Sequence, residues 1–216
     1  SKLTGDVVVS IPRESRLEER KILVKGVKGH VSLDPPIHKV YVTVPQPVIS
    51  DVRADLERIL DRLGELSSQL EIDLDLLRQL PRTIREAGWG ITVTIWNGRR
   101  IVAVEKGDTT NRVYGIAVDI GSSKIIGYLT DLTTGKLVSV ESLENPQIIH
   151  GEDIVSRISL TMKNQEKLEE LRRLAVEGVN RVVHETCKEA SVNPSDVYEM
   201  TVAGNTAMHH LFLGIQ

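Results

Sequence analysis

The chain holds a single cysteine in 216 residues. One thiol, Cys187, cannot close an internal disulfide, complete a four-thiolate zinc site or hold an iron–sulfur cluster. Any redox cofactor is therefore expected outside this chain. Aromatic residues make up only 3%, with one Phe, and the net charge is -3. Single-stranded nucleic acids are held by exposed rings set among basic groups, so nucleic acid is not an expected partner. No apolar run approaches the roughly 20 residues of a spanning helix, and no basic, apolar, small-residue signal opens the chain. No membrane partner and a cytoplasmic location are expected. The first residue is Ser rather than Met, and residues 211–216 stop inside an apolar run, which suggests a piece of a longer protein.

What is present is globular composition, 40% hydrophobic and 26% charged, with length for one or two domains. Residues 1–42 carry 8 basic and 5 acidic groups on an otherwise acidic chain. They read as short extended pieces broken by Pro12, Gly26, Gly29 and Asp34-Pro-Pro36, and are expected to be a linker or arm, a candidate for pairing with a second copy.

Residues 43–108 predict a small α+β domain. Val40 to Val44 alternates as a strand, and Ser50 precedes Val52, Leu56, Ile59, Leu60 and Leu63 at helical spacing, with Gly64 as a stop. A second helix is predicted from Asp73 to Ala87, with a break or fresh start at Pro81. Ile91 to Ile95 and Arg100 to Glu105 flank Asn97-Gly98, a two-residue hairpin turn. In residues 109–216, strands are predicted at Val113 to Val118, Lys124 to Thr130 and Lys136 to Glu141. A helix from Gln165 to Ala190, a strand from Val197 to Ala203 and a helix from Ala207 follow.

The chemistry is concentrated in Asp119-Ile-Gly121-Ser-Ser-Lys124, which joins two apolar strands. Gly121 lets backbone amides approach an anion, Ser122 and Ser123 add hydroxyl donors, Lys124 adds positive charge, and Asp119 can hold a hydrated divalent cation. An ordinary hairpin turn uses the same residues. Gly204-Asn205-Thr206 lies between a strand and a helix, where free amides favour an anion; simple capping of that helix by Asn205 or Thr206 is the alternative.

The order β-β-β-α-β-α, with Asp-x-Gly-Ser in the first hairpin, resembles the first half-domain of the superfamily of acetate and sugar kinases, heat-shock chaperones and actin. Gly115-Ile-Ala-Val-Asp-Ile-Gly-Ser-Ser123, Glu144-Asn-Pro-Gln147, Gly151-Glu-Asp-Ile-Val-Ser-Arg-Ile158 and Val202-Ala-Gly-Asn-Thr-Ala-Met-His-His-Leu-Phe-Leu-Gly214 are similar to the reductive activators of corrinoid proteins. The resemblance implies an α/β ribonuclease-H-like, actin-like ATPase half-domain behind a small α+β middle domain and an extended arm. It further implies ATP and Mg as cofactors, an iron–sulfur cluster in the parent protein but not here, and a corrinoid methyl-transfer protein as partner, returned from cob(II) to cob(I). Asp119, Gly121, Ser122, Ser123, Lys124, Gly204, Asn205 and Thr206 then hold the nucleotide, with Asp119 on the metal. A small-molecule kinase of the same fold and a non-enzymatic actin-like scaffold module are the alternative functions.

Other residues read more simply. Asp153 and Arg157 are spaced for an i, i+4 ion pair at a helix start. His209 and His210 are adjacent and cannot share a metal as an i, i+4 pair would. Cys187 is expected to be a structural thiol, and Trp89 and Trp96 to pack the middle domain.

Overall fold

The computed structural model describes residues 33–67 and 69–216; the arm through Ser32 lies outside the described residues. The fold is mixed α/β with two four-stranded mixed sheets. The first has the order β1 (Ile37–Thr43), β3 (Gly90–Trp96), β4 (Arg100–Lys106), β2 (Glu71–Ile72). Its first strand begins at Ile37, three residues ahead of the strand predicted from Val40. The hydrophobic pattern is the reason, because Ile37 and Val42 are both buried.

Two helices, α1 (Asp55–Leu63) and α2 (Leu74–Glu86), supply Ile59, Leu63, Leu80 and Ile84 to a core shared with Ile91, Val93, Ile95 and Ile101. Each such side chain, fully buried, contributes about 1.5–3 kcal/mol. Ser50 does not open α1. The chain before the helix is instead fixed by Asp51, whose carboxylate receives the buried Arg58 and the exposed Arg53. Pro81 does not break α2, which runs on past it, since Leu80 and Ile84 anchor both sides in the core. Asn97 and Gly98 have φ of 52° and 64°, the positive pair that the predicted hairpin turn requires.

The second sheet has the order β7 (Lys136–Glu144), β6 (Lys124–Asp131), β5 (Tyr114–Ile120), β8 (Val197–Gly204). The first three strands are antiparallel neighbours, and β8 returns parallel to β5. Between β7 and β8 come a 3-10 turn (Pro146–His150), α3 (Ile154–Lys163) and the long α4 (Glu166–Glu189); α5 (Thr206–Leu213) follows β8. Ile116, Val118, Ile120, Ile125 and Leu129 face Leu171, Val179 and Val182 of α4 and Met208 and Leu211 of α5. Gly178 permits the close approach of α4, since a Cβ there would sit 2.6 Å from Ile125 Cδ1 and 3.0 Å from Pro146 Cδ. Cys187 is fully buried in this core and burial raises its pKa, which fits a structural thiol. No helix among the described residues is long and apolar enough to cross a membrane.

The two sheets meet across a polar seam. Thr92 and Thr94 of β3, alternating with the apolar core residues, are buried on the opposite side. Thr92 Oγ1 donates to Gly107 O (2.7 Å) and accepts from Thr109 N (2.9 Å). Lys39 Nζ, with only 1% of its side chain exposed, pairs with Glu105 at 2.7 Å and lies 4.5 Å from the centre of the Tyr198 ring on β8. Trp96, expected to pack the middle domain, is partly exposed and donates from Nε1 to Glu199 at 3.0 Å; its indole N–H requires an acceptor that its own sheet does not supply.

Burial pushes the Glu105 carboxyl up, but hydrogen bonds from Lys39, Tyr198 and Thr109 and the Lys39 charge outweigh it, so the net direction is down. A depressed carboxyl stabilises the fold above its unfolded pKa, about 4.3, and loses that contribution as pH falls through the folded value. Glu105→Gln should therefore be less stable than the parent at pH 7 in urea titrations, with the gap closing as the pH falls below about 4. A gap that does not vary with pH would contradict this reading.

Candidate functional site

Because β5 and β8 run parallel with Ile120 opposite Gly204, their carboxyl ends coincide. The turn after β5 (121–123) and the entry to α5 (205–206) therefore leave the sheet at the same edge. The carboxyl ends of adjacent parallel strands are where open α/β sheets bind ligands. The absence of a side chain at Gly204 permits the contact, since a Cβ there would lie 3.1 Å from Ile120 O. The two segments singled out in sequence are thus brought together. Asn205 caps α5, its side-chain oxygen accepting from Met208 N at 3.0 Å; Thr206 begins the helix and is exposed.

The turn is held from beneath by buried donors. Gly121 O accepts from Asn145 Nδ2 (2.7 Å), Ser122 O from Arg157 Nη2 (2.7 Å) and Ser123 O from Asn145 N (2.9 Å). In a planar trans peptide each carbonyl is antiparallel to the amide that follows it. Three carbonyls turned toward the core therefore turn the amides of Ser122, Ser123 and Lys124 outward. Among the described residues, the Ser122 and Ser123 amides have no acceptor. Successive outward amides form a concavity that binds anions. Gly121 is required here, because a Cβ would stand 2.8 Å from Lys124 O, a backbone atom that cannot swing away.

Asp119 and Lys124 are both exposed, and neither has a hydrogen-bonding or ion-pair partner among the described residues. Asp119 lies on the face of β5 opposite α4, beside Ala203 of β8. Its cross-strand neighbours are Ala203 of β8 and Ile126 of β6, neither of which has a polar side chain to pair with the carboxylate. No cluster of three or more His, Cys, Asp or Glu suited to a metal occurs among the described residues. A single exposed carboxylate is the kind of ligand that magnesium takes, since that ion is commonly bound through one or two carboxylates together with phosphate oxygens and water.

Asn145 and Arg157 hold the turn in place, and nothing in the sequence separates them from their surroundings. Both are completely buried. Asn145 also opens the 3-10 turn by accepting from Gln147 N at 2.9 Å, and Gln147 Nε2 continues the network to Leu171 O of α4 at 2.8 Å. Arg157 does not form the expected pair with Asp153. That carboxylate caps α3 instead, accepting from Ser156 N and Oγ at 2.7 Å each. These bonds hold its pKa below the ordinary range. His209 and His210 are exposed on α5 and hold no metal cluster. A cavity of about 670 Å³, lined by Ile158, Met162, Leu168, Leu211 and Ile215, touches Thr206 but none of residues 119–124.

The family model described as the RACo linker region matches residues 26–111, and that of the RACo middle region matches residues 114–216. The corrinoid activation enzyme RamQ of Eubacterium limosum is 33% identical over 158 residues, covering 65% of this chain and 27% of RamQ. A solved structure described as a reductive activator for corrinoid, iron-sulfur protein superposes with a TM-score of 0.71 at 31% identity, over 87% of this chain and 30% of that one. The chain thus spans less than a third of the length of either relative.

If Asn145 is the post under the turn, Asn145→Ala leaves the Gly121 carbonyl without its donor. It should cost about 1–3 kcal/mol in chemical denaturation. A neutral substitution would show that the turn keeps its shape without that bond.

Proposed function

The chain belongs to the RACo family, and we propose that it contributes the nucleotide-phosphate hairpin to the ATP-dependent reactivation of a corrinoid protein. The observation that carries this reading is the pair of unpartnered amides at Ser122 and Ser123, flanked by the free charges of Asp119 and Lys124. Together with the edge formed by Gly204, Asn205 and Thr206, they present donors from two chain segments, as a polyphosphate requires. Asp119 holds magnesium through water, and Lys124 offsets phosphate charge. The strand order and the α5 entry support an actin-like, ribonuclease-H-like half-domain as the setting of this hairpin.

The reaction proposed for the parent activity is the return of cob(II) to cob(I) on a corrinoid methyl-transfer protein, ATP supplying the free energy for the uphill electron transfer. The single cysteine is buried in α4 and does not fit an iron–sulfur cluster, so the electron comes from a centre outside these residues. The arm ahead of β1, with 7 basic and 4 acidic groups in residues 1–32, is proposed to pair with a second copy.

Pyrophosphate with magnesium is a direct probe of the hairpin. In amide-resolved NMR it should shift Ser122 and Ser123, and Asp119→Ala should remove the magnesium dependence of that shift while leaving the thermal midpoint unchanged, because Asp119 supports nothing in the fold. An unaltered magnesium dependence in the variant would return Asp119 to the role of a strand-end residue.

A further inference from the structure

Arg157 is 0% exposed, yet every partner of its guanidinium is neutral. Nε donates to Gly151 O (2.9 Å), Nη2 to Ser122 O (2.7 Å) and Nη1 to Gln147 Oε1 (3.3 Å), with Met208 Sδ at 3.9 Å. No carboxylate lies within ion-pair distance among the described residues. Guanidinium keeps its proton in proteins, so this is a buried positive charge with no contact ion pair, on which the Asp153 carboxylate acts only from a distance. Such a charge is costly to bury, and a neutral residue could make most of the same bonds without that cost. The surroundings are built to keep the head in place. Gly151 has a φ of 138°, and a Cβ there would lie 2.6 Å from Ser156 Cβ, so the chain passes tightly against α3 and presents its carbonyl to Nε.

We infer that Arg157 is the positioning residue of the anion site, with the anion bound at the outward amides of Ser122 and Ser123 as a counter-charge additional to the more distant Asp153. The link is one peptide unit long. Nη2 pulls on the Ser122 carbonyl, which polarises that peptide and makes the Ser123 amide on its far side a better donor. The charge acts through a dry interior, where screening is weak. Arg157 therefore does two things at once: it fixes the direction of the turn's peptides, and it raises the potential where phosphate oxygens arrive. The inference rests on the proposed phosphate site and names the residue that tunes it.

The test uses this chain, pyrophosphate with magnesium as the probe, and two variants. In the wild type, the Arg157 Nε–H resonance should move together with the Ser122 and Ser123 amides during titration. Arg157→Gln should weaken pyrophosphate binding at least tenfold with unchanged circular dichroism, and Arg157→Lys, which keeps the charge but not the fork, should recover part of that loss. Equal losses in the Gln and Lys variants would assign Arg157 to loop packing alone and overturn the inference. So would binding by the Gln variant as tight as that of the wild type. If the Gln variant does not fold, the wild-type resonance decides: amides that move while Nε–H stays still contradict the inference and leave the phosphate site standing. Amides that do not respond in the wild type overturn the phosphate site, and the inference with it.

Discussion

The orientation of three consecutive carbonyls in the turn at residues 121–123 is the constraint on which the rest of the site depends. A Gly-Ser-Ser turn left to itself can present either face of its peptides to solvent. Here Asn145 and Arg157 take all three carbonyls from below, and the amides have one direction left. The donors come from the 3-10 turn after β7 and from α3, and Gln147 ties them to α4. Met208, the α5 residue that Asn205 caps, touches both Asn145 and Arg157. The outward face of the turn is therefore set by packing from residues far along the chain.

A second polar junction connects this half of the molecule to the smaller sheet. Lys39 reaches from β1 to Glu105 and the Tyr198 ring, and Trp96 reaches to Glu199. Burial raises the Tyr198 hydroxyl pKa, and the Glu105 carboxylate adds to the rise, so the phenol stays protonated as a donor. A charged, hydrogen-bonded seam costs more to form than an apolar one and is correspondingly particular about geometry.

Much of this was legible in the sequence, for reasons that differ by element. The alternation in β3, the helical period of α4 and the Asn97-Gly98 turn are local signals, and the structure follows them. So is the turn at 121–123, which the structure places between β5 and β6. What stayed hidden was set by tertiary contact. Nothing local distinguishes Arg157 from an i, i+4 partner of Asp153; its burial arises because the Gly121 turn and the Gln147 turn converge on α3. Asn145 sits in a quoted motif, but its role depends on reaching back 24 positions to Gly121. Ser50 reads as a helix cap until Arg58, buried by the core, draws in Asp51. Trp96 reads as core until Glu199 supplies its acceptor from the other sheet.

The account's central claim is that the peptides of residues 121–123 are turned outward to receive an anion. The most direct measurement is the location of a heavy oxyanion, such as tungstate, in a crystal of this chain. The account predicts the anion within hydrogen-bonding distance, about 2.7–3.2 Å, of the Ser122 and Ser123 amides, beside Gly204 and Thr206. A turn whose amides point inward, or an anion bound elsewhere with this edge open to it, would contradict the claim.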